Sequence, residues 1–282
     1  MMPLTWQDRI YVEPALMTIT SPMEHDVLRD CTEMRLFNRS GSWRAIAWPS
    51  VPIPTNREFV MVGEVTVLEI REDIDREPMA MVNWRRLHES HVLDLLPTNH
   101  CPVQGVVLQT CELIKSIQTQ SLREFMVETL RMTDVFEHYW TASASLSHHH
   151  AYPGGLAEHS LDVALATANI RGLSTWQRDL VVTYALLHDI GKVWAYVNDQ
   201  LSDEARRLGH EALGYRALTP ALTTLWETDE HTYGTLDALL SSKWKRTFRH
   251  PAAALGEIVR AMDRFSAARD IRNAPCEAAL QG

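Results

Sequence analysis

The chain changes its hydrophobic period near Leu96, and that change decides what it can fold into. Before it, apolar residues come in short runs: SWRAIAWP (42–49), EFVMVGEVTVLEI (58–70) and PMAMVNW (78–84). They are rich in Val, Ile, Met and Trp, and Ser-Gly, Pro-rich or charged stretches such as REDIDREP (71–78) separate them. This pattern predicts short strands forming a small barrel or a curled sheet, the second run bending at Gly63. LPTNHCPV (96–103) breaks either period and reads as a linker.

Beyond the linker the period is helical. Ser121-Leu-Arg-Glu124 has the form of a capping box opening a helix with Phe125 and Leu130. Apolar positions recur at Leu156, Val163, Ala166 and Ile170, then through Trp176–His188, then at Leu255, Ile258, Val259, Met262 and Phe265. The expected architecture is α+β: a β domain over 1–100, then an all-helical domain over 101–282.

The 45% hydrophobic content of these 282 residues can fill two modest cores. A net charge of −9 argues against broad duplex binding, which depends on neutralising many phosphates, but leaves room for local grip on one strand. No apolar run is long enough to span a bilayer, and MMPLTWQDR does not read as a secretory start. Cys31, Cys101, Cys111 and Cys276 form no CxxC pair, so reduced cysteines in the cytoplasm, with no membrane partner, are expected. Thirteen histidines stand out, and nine of them follow residue 137.

Those histidines fall into patterns. LLHDIGK (186–192) puts His188 and Asp189 at the end of an apolar helix, with Gly191 allowing a tight exit. Imidazole and carboxylate together suit a borderline divalent cation. Lys192 follows, placed to meet a phosphate. In HHHAYPGGLAEHSLDVA (148–164), a Pro-Gly-Gly turn leads into a helix carrying His159 near its apolar face. In AMDRFSA (261–267), Asp263 lies at the edge of an apolar stripe, where a carboxylate needs a partner or a metal. His159, His188, Asp189 and Asp263 thus make one metal shell. His210 and His231, with Asp189, can complete a second. His149 and His250 are candidates to face a substrate. Lys243, Lys245, Arg246 and Arg249 can grip a phosphate, and Trp244 can stack on a base.

Plainer readings apply to the same residues. His188-Asp189 can be a helix cap, Asp263 can pair with Arg260 or Arg264, and the KWKR run (243–246) can simply solvate a loop. Trp244 can be an ordinary packed tryptophan.

The three motifs resemble the HD-domain phosphohydrolase superfamily, whose pattern is a histidine, a His-Asp pair and a distant aspartate. Two groups within it are similar: bacterial 3′–5′ exoribonucleases that join an OB-like domain to an HD domain, and HD-type relaxase-like proteins of conjugative elements. The resemblance covers residues 120–268 well and the first 97 only in layout. It implies that His159, His188, Asp189 and Asp263 are the shared ligands and that His210 and His231 match those of two-metal members. Lys192 would be the phosphate-contacting lysine. One or two divalent ions are implied, Mn2+ favoured, with Mg2+, Fe2+, Ni2+ or Co2+ in other members. Glu230-His231 stands where many two-metal members have two histidines.

The N-terminal third would be the OB-like domain, with Trp43, Trp48, Arg57 and Trp84 available to hold a strand. The expected function is a 3′–5′ exonuclease on single-stranded RNA or DNA. The alternatives are a nicking relaxase, a nucleotide phosphohydrolase, or a non-catalytic scaffold that binds nucleic acid. Tryptophan-rich β patches can also support homo-oligomers.

Overall fold

The protein is described by a computed structural model over residues 10–20, 31–53, 57–69, 79–147, 149–197, 200–246 and 252–273. REDIDREP (71–78), Cys276, Arg249 and His250 lie outside these residues. The chain divides into two compact units, 1–100 with 130–136, and 101–129 with 137–282.

The first unit is a closed five-stranded barrel: β1 (Ile10–Ile19), β2 (Thr32–Asn38), β3 (Gly41–Ala47), β4 (Met61–Leu68) and β5 (Met79–Arg86), in the order β1-β2-β3-β5-β4. Neighbours run antiparallel except β3 and β5, and β1 closes the ring by pairing with both β2 and β4. This is the expected OB-like barrel. Alternate residues point inward, so Ala15, Met17, Met34, Leu36, Ala45, Ala47, Val65, Val67 and Met81 form one core. Pro14 lies where β1 pairs only with β4, because pairing with β2 starts at Leu16, and a strand proline is tolerated on such an edge.

At Gly63 the pairing of β4 with β1 and with β5 runs on in register. The irregularity in β4 lies at Thr66/Val67. Gly63 instead leaves room for Trp84, whose Nε1 would stand 2.3 Å from an added β-carbon. Trp43 and Trp84 pack on the barrel core, whereas Trp48 and Arg57 are exposed. A short helix, α1 (Val92–Leu95), ends the first stretch of this unit. Residues 130–136 continue the unit, with Val60 N–H donating to Arg131 O at 2.6 Å and Thr133 N–H to Glu58 O at 2.9 Å.

The rest is helical: α2 (Val106–Ser116), α3 (Gln120–Arg131), α4 (Thr133–His138), α5 (Gly155–Ala168), α6 (Thr175–Leu187), α7 (Lys192–Ala195), α8 (Asp203–Leu208), α9 (His210–Ala217), α10 (Thr219–Thr228), α11 (Glu230–Leu240) and α12 (Ala252–Asn273). One small hairpin, β6 (Tyr196–Val197) with β7 (Gln200–Leu201), interrupts them. Helices α5, α6 and α12 pack on one another. Leu156, Val163, Leu180, Val181, Leu255 and Val259 are buried, each contributing about 1.5–3 kcal/mol of transfer free energy.

The capping box expected at Ser121 does not form. Ser121 Oγ instead donates to Asp229 Oδ2, and the start of α3 is held by the buried Asp179, which accepts from Gln118 N–H, Thr119 N–H and Thr119 Oγ. A capping box does open α6, between Ser174 and Gln177. Among the described residues, no helix is long and apolar enough to cross a membrane.

Candidate metal centre

Helix α5 begins where the chain folds back on itself. Gly154 caps it at φ +87°, a left-handed conformation that glycine adopts freely. A β-carbon on Gly155 would stand 2.2 Å from the His150 carbonyl oxygen, so only glycine fits there. One turn later His159 is fully buried. His150 itself holds a left-handed φ of +51°, and its ring packs 5.3 Å from that of His159. Its Nδ1 is 2.8 Å from the Tyr152 hydroxyl, which donates in turn to Glu158.

Helix α6 ends at Leu187, and the next two residues supply the core of the centre. The ligand atoms of His159, His188 and Asp189 lie within 4.8 Å of one another. Asp263 arrives from α12: its Oδ1 is 3.1 Å from His159 Nε2 and 3.8 Å from His188 Nε2. Asp189 Oδ2 is 3.8 Å from His159 Nε2 and 3.5 Å from His188 Nε2. His210, at the start of α9, places Nε2 3.1 Å from the other oxygen of Asp189, Oδ1. Lys192 Nζ donates to Asp189 Oδ2 at 2.5 Å.

The centre is electrostatically coupled. Burial alone would raise the Asp189 pKa, yet His188, His210 and Lys192 hold it well below the usual carboxylate value. Asp263 is likewise pushed up by burial and down, more strongly, by the imidazoles of His159 and His188 beside it. Burial depresses His159. In His188 burial acts the same way, but Asp189 and Asp263 outweigh it and raise the pKa.

The donor set fits a divalent cation. His188 Nδ1 lies 2.8 Å from the Ala185 carbonyl oxygen, which fixes the proton there and turns the lone pair of Nε2 inward. The Nε2 atoms of His159 and His188 are buried and make no aligned hydrogen bond among the described residues. Two imidazole nitrogens with a carboxylate grouped beside them and a second carboxylate within reach of both rings are donors that a metal of borderline softness takes.

A pocket of about 480 Å³ opens on the centre. His149 and Lys245 line it, and Lys245 is tied to Glu211 at 2.6 Å. Trp244 also lines it as a packed residue, its indole lying over Gly256. Other expectations are corrected. Lys243 is not in the pocket: it bonds Asp237 Oδ2 at 2.7 Å, beside Tyr215, whose hydroxyl donates to Oδ1. His231 is exposed and stacks on Trp176, ring centroids 4.8 Å apart. Trp176 stands twelve residues before His188 along α6, a rise of about 18 Å, so His231 lies at the far end of that helix from the centre. Glu230 is exposed beside it. The Arg246 side chain, Arg249 and His250 lie outside the described residues. Arg260 and Arg264 do not pair with Asp263: Arg260 bonds Glu257, and both arginines line the pocket.

Residues 156–268 match the HD domain family. A dihydroneopterin 2′,3′-cyclic phosphate phosphodiesterase of Methanocaldococcus jannaschii is 32% identical over 104 residues, covering 32% of this chain and 41% of that protein. The chain therefore spans less than half the length of this curated relative.

Proposed function

Because residues 156–268 form an HD domain of the phosphohydrolase superfamily, we propose that the chain is a divalent-metal-dependent phosphodiesterase. We propose further that it cuts single-stranded RNA or DNA from the 3′ end, in the cytoplasm. The observation that carries the reading is the grouping of His159, His188 and Asp189, with Asp263 Oδ1 3.1 Å from His159 Nε2, beside a pocket that His188, Asp189 and Asp263 line. When bound there, a divalent ion supplies Lewis acidity toward phosphoryl oxygens and lowers the pKa of water. His159, His188, Asp189 and Asp263 would hold the first ion. His210, on the second oxygen of Asp189, would serve another, with Mn2+ the favoured metal.

The remaining roles follow from charge. Lys192 rests on Asp189 and can exchange that carboxylate for a phosphate oxygen, neutralising charge that builds during displacement. Tyr184, Trp244 and Val259, buried side chains of the lining, would lower the local dielectric on one side of the reacting group. The OB-like barrel is an architecture that binds oligonucleotides in other proteins, and this analogy supports a nucleic-acid substrate.

The relative that acts on a 2′,3′-cyclic phosphate favours a second reading, a small cyclic phosphodiester in the same pocket. One experiment separates the two. Metal content is measured first, and then 5′-labelled single-stranded RNA and DNA and a nucleoside 2′,3′-cyclic phosphate are each incubated with Mn2+. A ladder shrinking from the 3′ end is expected. Hydrolysis of the cyclic phosphate alone would transfer the assignment to the second reading. An Asp189→Ala chain with unchanged metal content and activity would remove the centre from either.

A further inference from the structure

Arg260, Asp263, Arg264 and Ala267 all line the pocket. Their spacing puts them on one face of α12, with the carboxylate of Asp263 on the metal centre and the two arginines beside it. The centre does not use either arginine, since Asp263 approaches His159 and His188. Arg260 pairs at 3.3 Å with Glu257, both of them about half exposed, so water weakens that bond. Among the described residues Arg264 has no ion-pair partner. Two guanidinium groups one turn apart repel each other, and an anion between them turns repulsion into attraction. Lys245 brings a third cation to the same pocket. Its bond to Glu211 is 38% exposed at the lysine and 46% at the glutamate, and a phosphate can replace that carboxylate.

Lys192 and the metal centre already account for the phosphate that reacts. The arginines are therefore left to meet a different part of the same substrate. We infer that Arg260 and Arg264, with Lys245, form a subsite for a second phosphate group of the substrate, next to the phosphodiester that is cut. The inference rests on the phosphodiesterase reading above. It defines the substrate class more narrowly: a molecule with two phosphates at neighbouring positions, as in an oligonucleotide, is preferred over an isolated phosphodiester. Tyr184 and Trp244 line the same pocket and give a base or sugar an aromatic wall.

The test compares three dinucleotides on the full-length chain: ApA, pApA and ApAp. Hydrolysis is followed with Mn2+, and binding to metal-free protein is followed by calorimetry. An arginine–phosphate contact is worth about tenfold, so pApA or ApAp should exceed ApA by about that factor in kcat/KM and in affinity. Which one is preferred gives the polarity of the strand. In an Arg260→Ala/Arg264→Ala chain the preference should fall close to unity, and Arg260→Lys/Arg264→Lys should restore part of it. Equal use of all three substrates by the unaltered protein would overturn the subsite, as would a preference that survives the double substitution. If no dinucleotide is cleaved with any divalent ion, the phosphodiesterase reading is lost instead. The calorimetric arm then still decides the subsite: equal affinities reject it.

Discussion

Gly191 lies so close to His210 that a β-carbon on it would stand 1.8 Å from the His210 carbonyl oxygen. It would also stand 2.7 Å from Gly214 N, so the whole start of α9 rests on this glycine. The backbone of Gly191 is ordinary right-handed helix, φ −62°, so glycine is needed for the approach and not for the turn. Through that approach His210 reaches Asp189. Gly191→Ala is expected to cost about 3 kcal/mol or more, as overpacking against backbone does. It should also push His210 away from Asp189, leaving the site of His159, His188 and Asp263 occupied while metal stoichiometry falls. Thermal melts with metal analysis measure both, and a variant with unchanged melting and metal content would refute the packing role.

The chemistry of the centre was legible because it resides in residue types that have few other reasons to occur together. A buried histidine, a His-Asp pair and an aspartate on an apolar stripe each demand a partner. What the chain could not show was which helix ends meet. His210 and His231 look alike in the sequence, yet one docks at the C-terminal end of α6 and the other near its N-terminal end. Strands β1 and β2 were not read as strands because Glu13, Pro14, Glu33 and Arg35 interrupt their apolar runs. In a barrel those positions can face outward or lie on a half-paired edge, at little cost. Residues 130–136 belong to the first unit although helical sequence surrounds them, a long-range pairing with no local signature.

Asp179 offers a test of stability away from the centre. It is 2% exposed and accepts three hydrogen bonds from Gln118 and Thr119. Asp179→Ala leaves those backbone donors unsatisfied and should destabilise the helical unit by about 3 kcal/mol. Asp179→Asn keeps one acceptor oxygen and should cost about half as much. Urea denaturation followed by circular dichroism reads the difference. Equal stability of the alanine variant and the parent would show that water, not Asp179, satisfies the start of α3.

His231 and His188 should behave in opposite ways. His231→Ala removes a ring stacked on Trp176 and should leave metal content unchanged, with a stability loss of about 1 kcal/mol. His188→Ala removes a proposed ligand whose Nε2 lies beside Asp189 and Asp263, and it should lower metal affinity by a factor of about 100 or more. Loss of metal from the His231 variant would restore it as a ligand and contradict its placement at the far end of α6.

The pH response of the centre depends on what occupies it. In the metal-free chain the His188 pKa is raised above its ordinary 6.5, since Asp189 and Asp263 outweigh burial. A raised histidine pKa contributes stability that is complete below the unfolded value and is lost as pH rises through the folded one. Asp189 and Asp263, whose pKa values are lowered, contribute stability that is present above 3.8 and lost only as pH falls further into acid. His159, whose pKa burial lowers, works in the opposite direction below its ordinary 6.5 and adds little change above it. Between about pH 7 and pH 8 His188 therefore governs, and the metal-free protein should melt at a lower temperature as pH rises. Metal binding needs neutral imidazole and releases its proton, so the loaded protein gains stability over the same interval. The difference in Tm between loaded and metal-free protein should widen steadily from about pH 7 to pH 8. Paired melts in Mn2+ and in chelator across that range measure it. A difference that stays flat or narrows would mean that His188 is not displaced from its proton by the ion, and so is not a ligand.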